Sequence, residues 1–285
     1  MLTPHPNAYI DVSDMRLGDR MACAWWAQQR RLNEGLHFAL LDRNLKLAER
    51  FSLAEYFPLT FTELDAAQIA ALKLPEWNQG NLWLTVSNAF AKTPVAGHFE
   101  HLPAAVQERA AELGAGKTRP RVLVHQLNDA PYNPARNWKQ TDADALTPAL
   151  SALGFEVVLL NPKAKTFLGG YAEMLAQMLA SDAFIGGDTG PSHVFALLCP
   201  DKPQLAIYPD MARDQKLFDP LRQQLGLERP WNSMPLRPDA AKLTLREGRR
   251  WDFERAWPRY RRVGRFDTQQ AVTAFLSVMP APRKD

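Results

Sequence analysis

The chain has few cysteines and no long apolar run. Only two cysteines, Cys23 and Cys199, occur in 285 residues, and they form neither a CxxC pair nor a Cys/His cluster. This spacing argues against a structural zinc site and a disulfide framework, and it favours a reducing compartment. No apolar segment is long enough to cross a bilayer, and residues 1–6 do not resemble the start of a secretory signal. We therefore expect a cytoplasmic protein without a membrane span.

A large excess of charge of one sign is also absent. The sequence has 34 basic and 31 acidic residues, so its net charge of +3 gives only weak support to an acidic partner. Residues 249–265 differ, because they interleave aromatic side chains with arginines that include Arg249, Arg250 and Arg255. Such a segment can bind a phosphate backbone, stack on bases, or hold a phosphorylated glycan. The alternative is a surface segment whose aromatics pack on the core.

Two common catalytic motifs are missing. Residues 114–118 end like a phosphate-binding P-loop, but the four-residue spacer between the glycines is absent and a helix is predicted before them. There is no G-x-S-x-G elbow, and Asp188, Ser192 and His193 lie too close together, on one turn, for a hydrolase triad. The sequence therefore predicts neither a P-loop ATPase nor a serine hydrolase.

Short apolar runs alternate with helical segments, which predicts an α/β fold with parallel sheets. Strands are predicted at residues 8–12, 38–41, 82–86, 122–125, 157–160, 183–185 and 205–208. Helices are predicted at residues 20–32, 104–113, 141–153, 171–180, from 191 onward and at 267–278. Small, basic and turn-forming residues at 113–120 indicate an interdomain linker. We place one Rossmann-like domain at 1–116, a second at 117–266 and a final helix in 267–285.

The turn after the strand at 183–185 predicts an anion site. A glycine pair ends the strand, and Pro191 suits a first helical position because its φ is fixed and it needs no N–H partner. The free N–H groups and positive dipole end of this helix favour an anion such as a diphosphate. Asp188, Thr189, Ser192 and His193 could bind the sugar and phosphate parts of one nucleotide ligand. The alternative is that Asp188 and Thr189 only cap the helix and His193 belongs to the core.

Three separated pieces of the chain resemble one family. They are Leu17-Gly18-Asp19 after the first strand, Asn137-Trp138 before the helix at 141–153, and Asp188-Thr189-Gly190 with His193. They look like motifs of the ADP-heptose transferases of lipopolysaccharide synthesis, which are glycosyltransferases of the GT-B fold. The resemblance implies two Rossmann-like domains with parallel sheets facing a central cleft. It also implies that the final helix packs back toward the first domain.

The resemblance implies roles for individual residues. Asp19 would be the general base, since a carboxylate must take the proton of the acceptor hydroxyl as the new bond forms; the alternative is a helix cap. Arg136 would hold the diphosphate bidentately; the alternative is a solvated surface charge. Asp188 would bind sugar hydroxyls. The residues expected to bind the nucleotide-sugar are Gly18, Arg136, Asp188, Thr189, Gly190, Ser192 and His193.

Together these expectations describe a glycosyltransferase that moves a sugar from a nucleotide-diphosphate-sugar to an acceptor hydroxyl with inversion. No cofactor or metal ion is expected, because arginine and the helix dipole supply the positive charge. The acceptor stays open among a glycan, a lipopolysaccharide-type molecule and a modified DNA base, and Arg16, Arg249, Arg250 and Arg255 are candidates for acceptor or phosphate contacts. The alternative is a non-catalytic module of degenerate GT-B fold that binds nucleic acid or a phosphoglycan through residues 249–265. No oligomeric state follows from the sequence.

Overall fold

Two parallel sheets are present in the part of the chain that the computed structural model describes. That part comprises residues 5–43, 51–77, 97–125, 138–160, 170–187, 189–209, 240–245 and 266–280. The predicted strand at 82–86 lies outside it. None of the described helices is long and apolar enough to cross a membrane.

The first sheet has the strand order β1-β2-β3, with all described pairs parallel. Its strands are β1 (Ala8–Asp11), β2 (Phe38–Leu41) and β3 (Phe61–Glu63). All four residues of β2 are buried, as expected of a central strand that is covered on both faces. The described helices of this unit are α1 (Leu17–Glu34), α2 (Leu53–Tyr56) and α3 (Ala66–Ala71).

The second sheet has the strand order β5-β4-β6-β7-β8 and is also parallel. Its strands are β4 (Arg121–His125), β5 (Glu156–Leu159), β6 (Ala183–Gly186), β7 (Gln204–Pro209) and β8 (Ala241–Leu245). The accompanying helices are α4 (Ala104–Gly114), α5 (Gln140–Ala152), α6 (Gly170–Ala180), α7 (Gly190–Leu198) and α8 (Thr268–Leu276). The strand order reverses between β4 and β6. In open parallel sheets, ligands bind outside the carboxyl ends of the strands at this reversal.

Helix α1 is longer than the predicted helix at residues 20–32. It begins at Leu17, because Arg16 serves as the N-cap residue and the Asp19 carboxylate accepts the backbone N–H of Arg16 at 3.4 Å. It ends at Gly35, whose φ of 70° is left-handed and whose N–H bonds to the carbonyl of Arg31. Asp19 is therefore a residue of the first helical turn and not the cap itself.

Helices α1 and α7 join the two units through a shared apolar core. This core runs from the first sheet through α1 to α6, α7 and one face of the second sheet. Gly97 lies where no side chain fits, since a Cβ there would be 2.5 Å from Trp25 Cδ1 and 2.6 Å from Leu197 Cδ2. Two residues further on, the N–H of Phe99 donates to the carbonyl of Leu197 at 3.2 Å. The chain around residue 97 is thus packed between the two helices.

Residues before, within and directly after the predicted interdomain linker bond to the second unit. Before it, Arg109 of α4 pairs with Glu173 of α6 at 2.9 Å. Within it, Lys117 pairs with Asp182 at 2.7 Å, and the same carboxylate accepts the N–H of Arg121. The pKa values of Glu173 and Asp182 are lowered by these partners, although partial burial opposes the shift.

The described residues of the final helix pack on the second sheet, whereas the family resemblance implies a return toward the first domain. Ala271, Val272 and Phe275 of α8 are buried in the core of the second unit, against α5, β7 and β8. The rings of Phe275 and Phe155 lie 5.5 Å apart. Leu276, the next residue along the helix, is 43% exposed. An amphipathic stripe identifies the buried face of a helix but not the surface that covers it.

Candidate functional site

Helix α7 begins directly outside the strand reversal of the second sheet. Thr189 is its N-cap residue with extended backbone angles, and Gly190 and Pro191 follow in the first turn. The N–H groups of Ser192 and His193 both bond to the carbonyl of Thr189, at 3.1 and 3.4 Å. The strand predicted at residues 183–185 and the helix predicted from residue 191 onward are confirmed at this place. The positive end of the α7 dipole therefore faces the region where a ligand is expected.

A buried hydrogen-bond network connects the ends of β4 and β6 to this turn. The Nδ1 atom of His125, the last residue of β4, lies 3.0 Å from the hydroxyl of Thr189. The Thr189 hydroxyl lies 3.4 Å from that of Ser192, which donates to the carbonyl of Gly187 at 2.5 Å. The backbone carbonyl of His125 also accepts the N–H of Gly187 at 3.3 Å. Burial lowers the pKa of His125 to about 4, so its ring is neutral at neutral pH.

The N-termini of α1 and α7 meet in van der Waals contact. A Cβ on Gly18 would lie 3.4 Å from His193 Cδ2 and 3.7 Å from Gly190 Cα. A Cβ on Gly190 would lie 3.0 Å from Leu17 Cβ, which is tighter than normal packing allows. The predicted residues Gly18, Gly190 and His193 are thus brought together, and Asp19 lies in the same helical turn as Gly18. Two positive dipole ends at one place favour binding of an anion.

A buried arginine fixes the chain that leads into α1. Arg20 pairs with Asp42 at 2.6 Å, and the two side chains are only 1% and 5% exposed. The same guanidinium donates to the carbonyls of Met15 and Val12, each at 3.1 Å. Asp42 directly follows β2, and Val12 directly follows β1. Arg20 therefore ties the carboxyl ends of two neighbouring strands to the first turn of α1.

Sequence reasoning did not single out Arg20 and His125. Each is a polar residue at the end of an apolar run or at the start of a helix, where exposed and buried positions look alike in a sequence. Their burial follows from the partners that the fold supplies. The only available signal was position, because His125 closes the apolar run of β4 and Arg20 directly follows the candidate base.

The other predicted residues divide into two groups. Arg16 is exposed at the N-cap of α1, and Thr189 and Ser192 are buried with their hydroxyls bonded as described. Five predicted residues lie outside the described part of the chain: Arg136, Asp188, Arg249, Arg250 and Arg255. Among the residues that the structure describes, no group of three or more His, Cys, Asp or Glu side chains is arranged to hold a metal ion.

Two solved glycosyltransferases have a similar fold. A glycosyl transferase family 9 protein from Veillonella parvula DSM 2008 superimposes with a TM-score of 0.51 at 13% identity, over 86% of this chain and 87% of that one. ADP-heptose lps heptosyltransferase II from E. coli superimposes with a TM-score of 0.52 at 12% identity, over 83% of this chain and 90% of that one. No protein-family model and no curated protein matches the sequence. The comparisons confirm the expected GT-B-like α/β fold.

We expect Arg20→Met to lower the free energy of unfolding by about 3 kcal/mol, because it breaks a fully buried ion pair with Asp42. Two backbone carbonyls would lose their hydrogen-bond donor at the same time. Urea unfolding of the purified protein measures the change.

Arg43→Met is the matched control for this variant. The pair between Arg43 and Asp11 is 3.6 Å long and its side chains are 67% and 33% exposed. Its removal is expected to change the free energy of unfolding by less than about 0.5 kcal/mol. Equal losses in the two variants would show that the burial of the Arg20 pair has no energetic weight.

Stability is expected to fall as the pH drops from about 6.5 to about 4. The pKa of His125 is about 4 in the folded protein against 6.5 as its ordinary value, so in this interval only the unfolded chain binds the proton. Above about pH 6.5 neither state binds it. By linkage, the free energy of unfolding of the wild type should fall by about 2 kcal/mol more than that of His125→Asn when the pH is lowered from 7 to 4.5.

Thermal unfolding at these two pH values measures the difference. His37, whose pKa is also lowered by burial, is present in both proteins and cancels in the comparison. If the wild type and the variant lose equal stability on acidification, the fold does not hold His125 in its neutral form.

Proposed function

We propose that the protein is a glycosyltransferase that moves a sugar from a nucleotide-diphosphate-sugar to an acceptor hydroxyl. The observation that carries this proposal is the contact between the N-termini of α1 and α7 at Gly18 and Gly190. This contact lies beside the strand reversal of the second sheet, where nucleotide ligands bind in doubly wound folds. The glycosyltransferase folds to which the chain is similar agree with this activity.

The diphosphate would lie against the two helix N-termini. The hydroxyls of Thr189 and Ser192 and the backbone N–H of Ser192 are already bonded within the protein, so these residues would contribute through the positive end of the α7 dipole. His193, which is buried against Gly18, would keep the two helix starts in contact. Arg16 is exposed at the N-cap of α1 and could add a phosphate contact of its own.

Two further ligand contacts are proposed from the family resemblance. Arg136 would hold the diphosphate, and it precedes Trp138 by two residues in the sequence. Trp138 itself is buried, with its ring 5.3 Å from that of Phe266 and its indole N–H 3.4 Å from the carbonyl of Ile207. Asp188 would accept hydrogen bonds from sugar hydroxyls.

Asp19 would act as the general base. Asp19 is half-buried in the first turn of α1, next to Gly18 and its contact with α7. The acceptor O–H would give its proton to this carboxylate while its oxygen bonds to the anomeric carbon. The bond from that carbon to the diphosphate breaks, and the diphosphate leaves with the electron pair. The anomeric centre is inverted because the acceptor oxygen attacks from the face opposite the diphosphate. The helix N-termini and Arg136 would stabilise the charge that develops on the leaving group, so the proposed reaction uses no metal ion.

The acceptor is proposed only as a class of hydroxyl compound. A glycan, a lipopolysaccharide-type molecule and a modified DNA base all stay predictions, as does the cytoplasmic location. The segment at 249–265, which the alternative binding function requires, lies outside the described residues.

The proposed nucleotide-sugar site is tested by ligand-induced stabilisation. We expect one of ADP, UDP and GDP, at about 100 times its dissociation constant, to stabilise the folded protein by about 2.7 kcal/mol. The corresponding monophosphate is the control, and it should stabilise less because the helix N-termini receive fewer charged oxygens. A melting-temperature screen with these nucleotides and their sugar conjugates measures the effect. If no diphosphate raises the melting temperature, the nucleotide-sugar site is refuted.

Asp19→Asn is expected to lower the rate of sugar transfer, or of slow nucleotide-sugar hydrolysis, about a thousandfold. The asparagine retains an oxygen that can accept the N–H of Arg16, so the dissociation constant of the nucleotide-sugar should change by less than about twofold. Release of the nucleoside diphosphate measures the rate, and titration calorimetry measures the binding.

Asp14→Asn provides the control for charge. Asp14 is an exposed carboxylate in the same loop before α1, and its removal should leave the rate unchanged. Full activity of Asp19→Asn, with binding intact, would show that another group takes the proton.

A further inference from the structure

The N-cap residue of α7 does not cap its own helix. A threonine at this position ordinarily accepts the N–H of the third helical residue with its side chain. In α7 that N–H belongs to Ser192 and bonds to the backbone carbonyl of Thr189 at 3.1 Å. The Thr189 side chain makes no capping bond and lies instead 3.0 Å from His125 and 3.4 Å from the Ser192 hydroxyl.

The proton positions in this network can be traced from the Ser192 hydroxyl, because its acceptor is a carbonyl that cannot donate. Ser192 gives its single hydroxyl proton to the carbonyl of Gly187, so its oxygen can only accept from Thr189. Thr189 then donates to Ser192, and its oxygen can accept from the Nδ1 atom of His125. Because burial lowers the pKa of His125 to about 4, the ring carries one proton at neutral pH. All three contacts of the network are hydrogen bonds when that proton is on Nδ1.

His125 binds the turn between β6 and α7 at two points. Its backbone carbonyl accepts the N–H of Gly187 at 3.3 Å, and its ring Nδ1 lies 3.0 Å from the hydroxyl of Thr189. These two partners flank Asp188 in the sequence. One residue at the end of β4 thus sets the position of the chain as it enters α7, across the strand reversal of the sheet.

We propose that His125 is a positioning residue of the nucleotide-sugar site, which acts through the hydroxyl of Thr189 to hold the start of α7 in the arrangement that receives a diphosphate. This role rests on the proposed function. It needs a neutral ring with its proton on Nδ1, and it requires no contact between His125 and the ligand.

The proposal is tested with a double-mutant cycle on binding of ADP and of inorganic pyrophosphate, measured by calorimetry. Loss of one buried hydrogen bond corresponds to about a fivefold rise in the dissociation constant. We expect His125→Leu and Thr189→Val each to produce a rise of about this size. The double variant should be no weaker than either single variant, because both remove the same bond. If the two effects multiply, His125 does not act through Thr189.

Two conservative variants separate positioning from packing. His125→Asn has the same number and branching of side-chain heavy atoms as His125→Leu and can place an N–H near the Nδ1 position, so it should bind ADP within about twofold of the wild type. Thr189→Ser keeps the hydroxyl and should do the same. These variants keep the test valid even if His125→Leu fails to fold. Weak binding by both would overturn the proposed role.

The tautomer gives a readout that does not depend on the ligand. The 15N shifts of the imidazole at pH 7 should show His125 protonated at Nδ1 in the wild type, and Thr189→Val should change this signal. A proton on Nε2 would overturn the proposal. If the wild type binds none of ADP, UDP, GDP and pyrophosphate while the tautomer is as expected, it is the proposed function that fails.

Discussion

The close contact between the first turns of α1 and α7 is the constraint on which the candidate site depends. It brings a helix of the first sheet and a helix of the second sheet together at Gly18 and Gly190. A methyl group on Gly190 would already press on Leu17. The packing of Trp25 and Leu197 around residue 97 extends the same contact into the core, so one pair of helices contributes both to the apolar interior and to the candidate site.

Both units hold the start of their helix in a similar way. In the first unit, the buried Arg20 bonds to the chain segments after β1 and β2. In the second unit, the buried His125 at the end of β4 bonds to the turn after β6. In each unit a polar side chain is fully desolvated, which costs free energy unless its partners are in place. Such networks hold a loop in one conformation. A site that is built from loops at strand ends requires this.

Much of the fold could be predicted because local signals agree with it. The apolar run of β6, its glycine pair and Pro191 each indicate strand, turn and helix independently of the remaining chain. The start of α1 was placed too late because Arg16 is an unusual N-cap residue, and its contribution is a backbone N–H that any residue could supply. The packing of α8 and the roles of Arg20 and His125 depend on partners distant in sequence, such as Asp42 and Thr189, which a single sequence does not identify.

The fold by itself does not determine the activity, since similar folds carry unrelated functions. The electrostatics of the helix contact indicate the kind of ligand more specifically than the fold does. Each helix N-terminus carries about half a positive charge, so two of them in contact repel each other. Asp19 offsets part of this charge with its carboxylate in the first turn of α1. On the α7 side no acidic residue occurs in the first helical turn, and the Thr189 hydroxyl is bonded to other side chains. A diphosphate at the two helix starts would offset the remaining charge, which is the physical reason for expecting an anionic ligand at this contact.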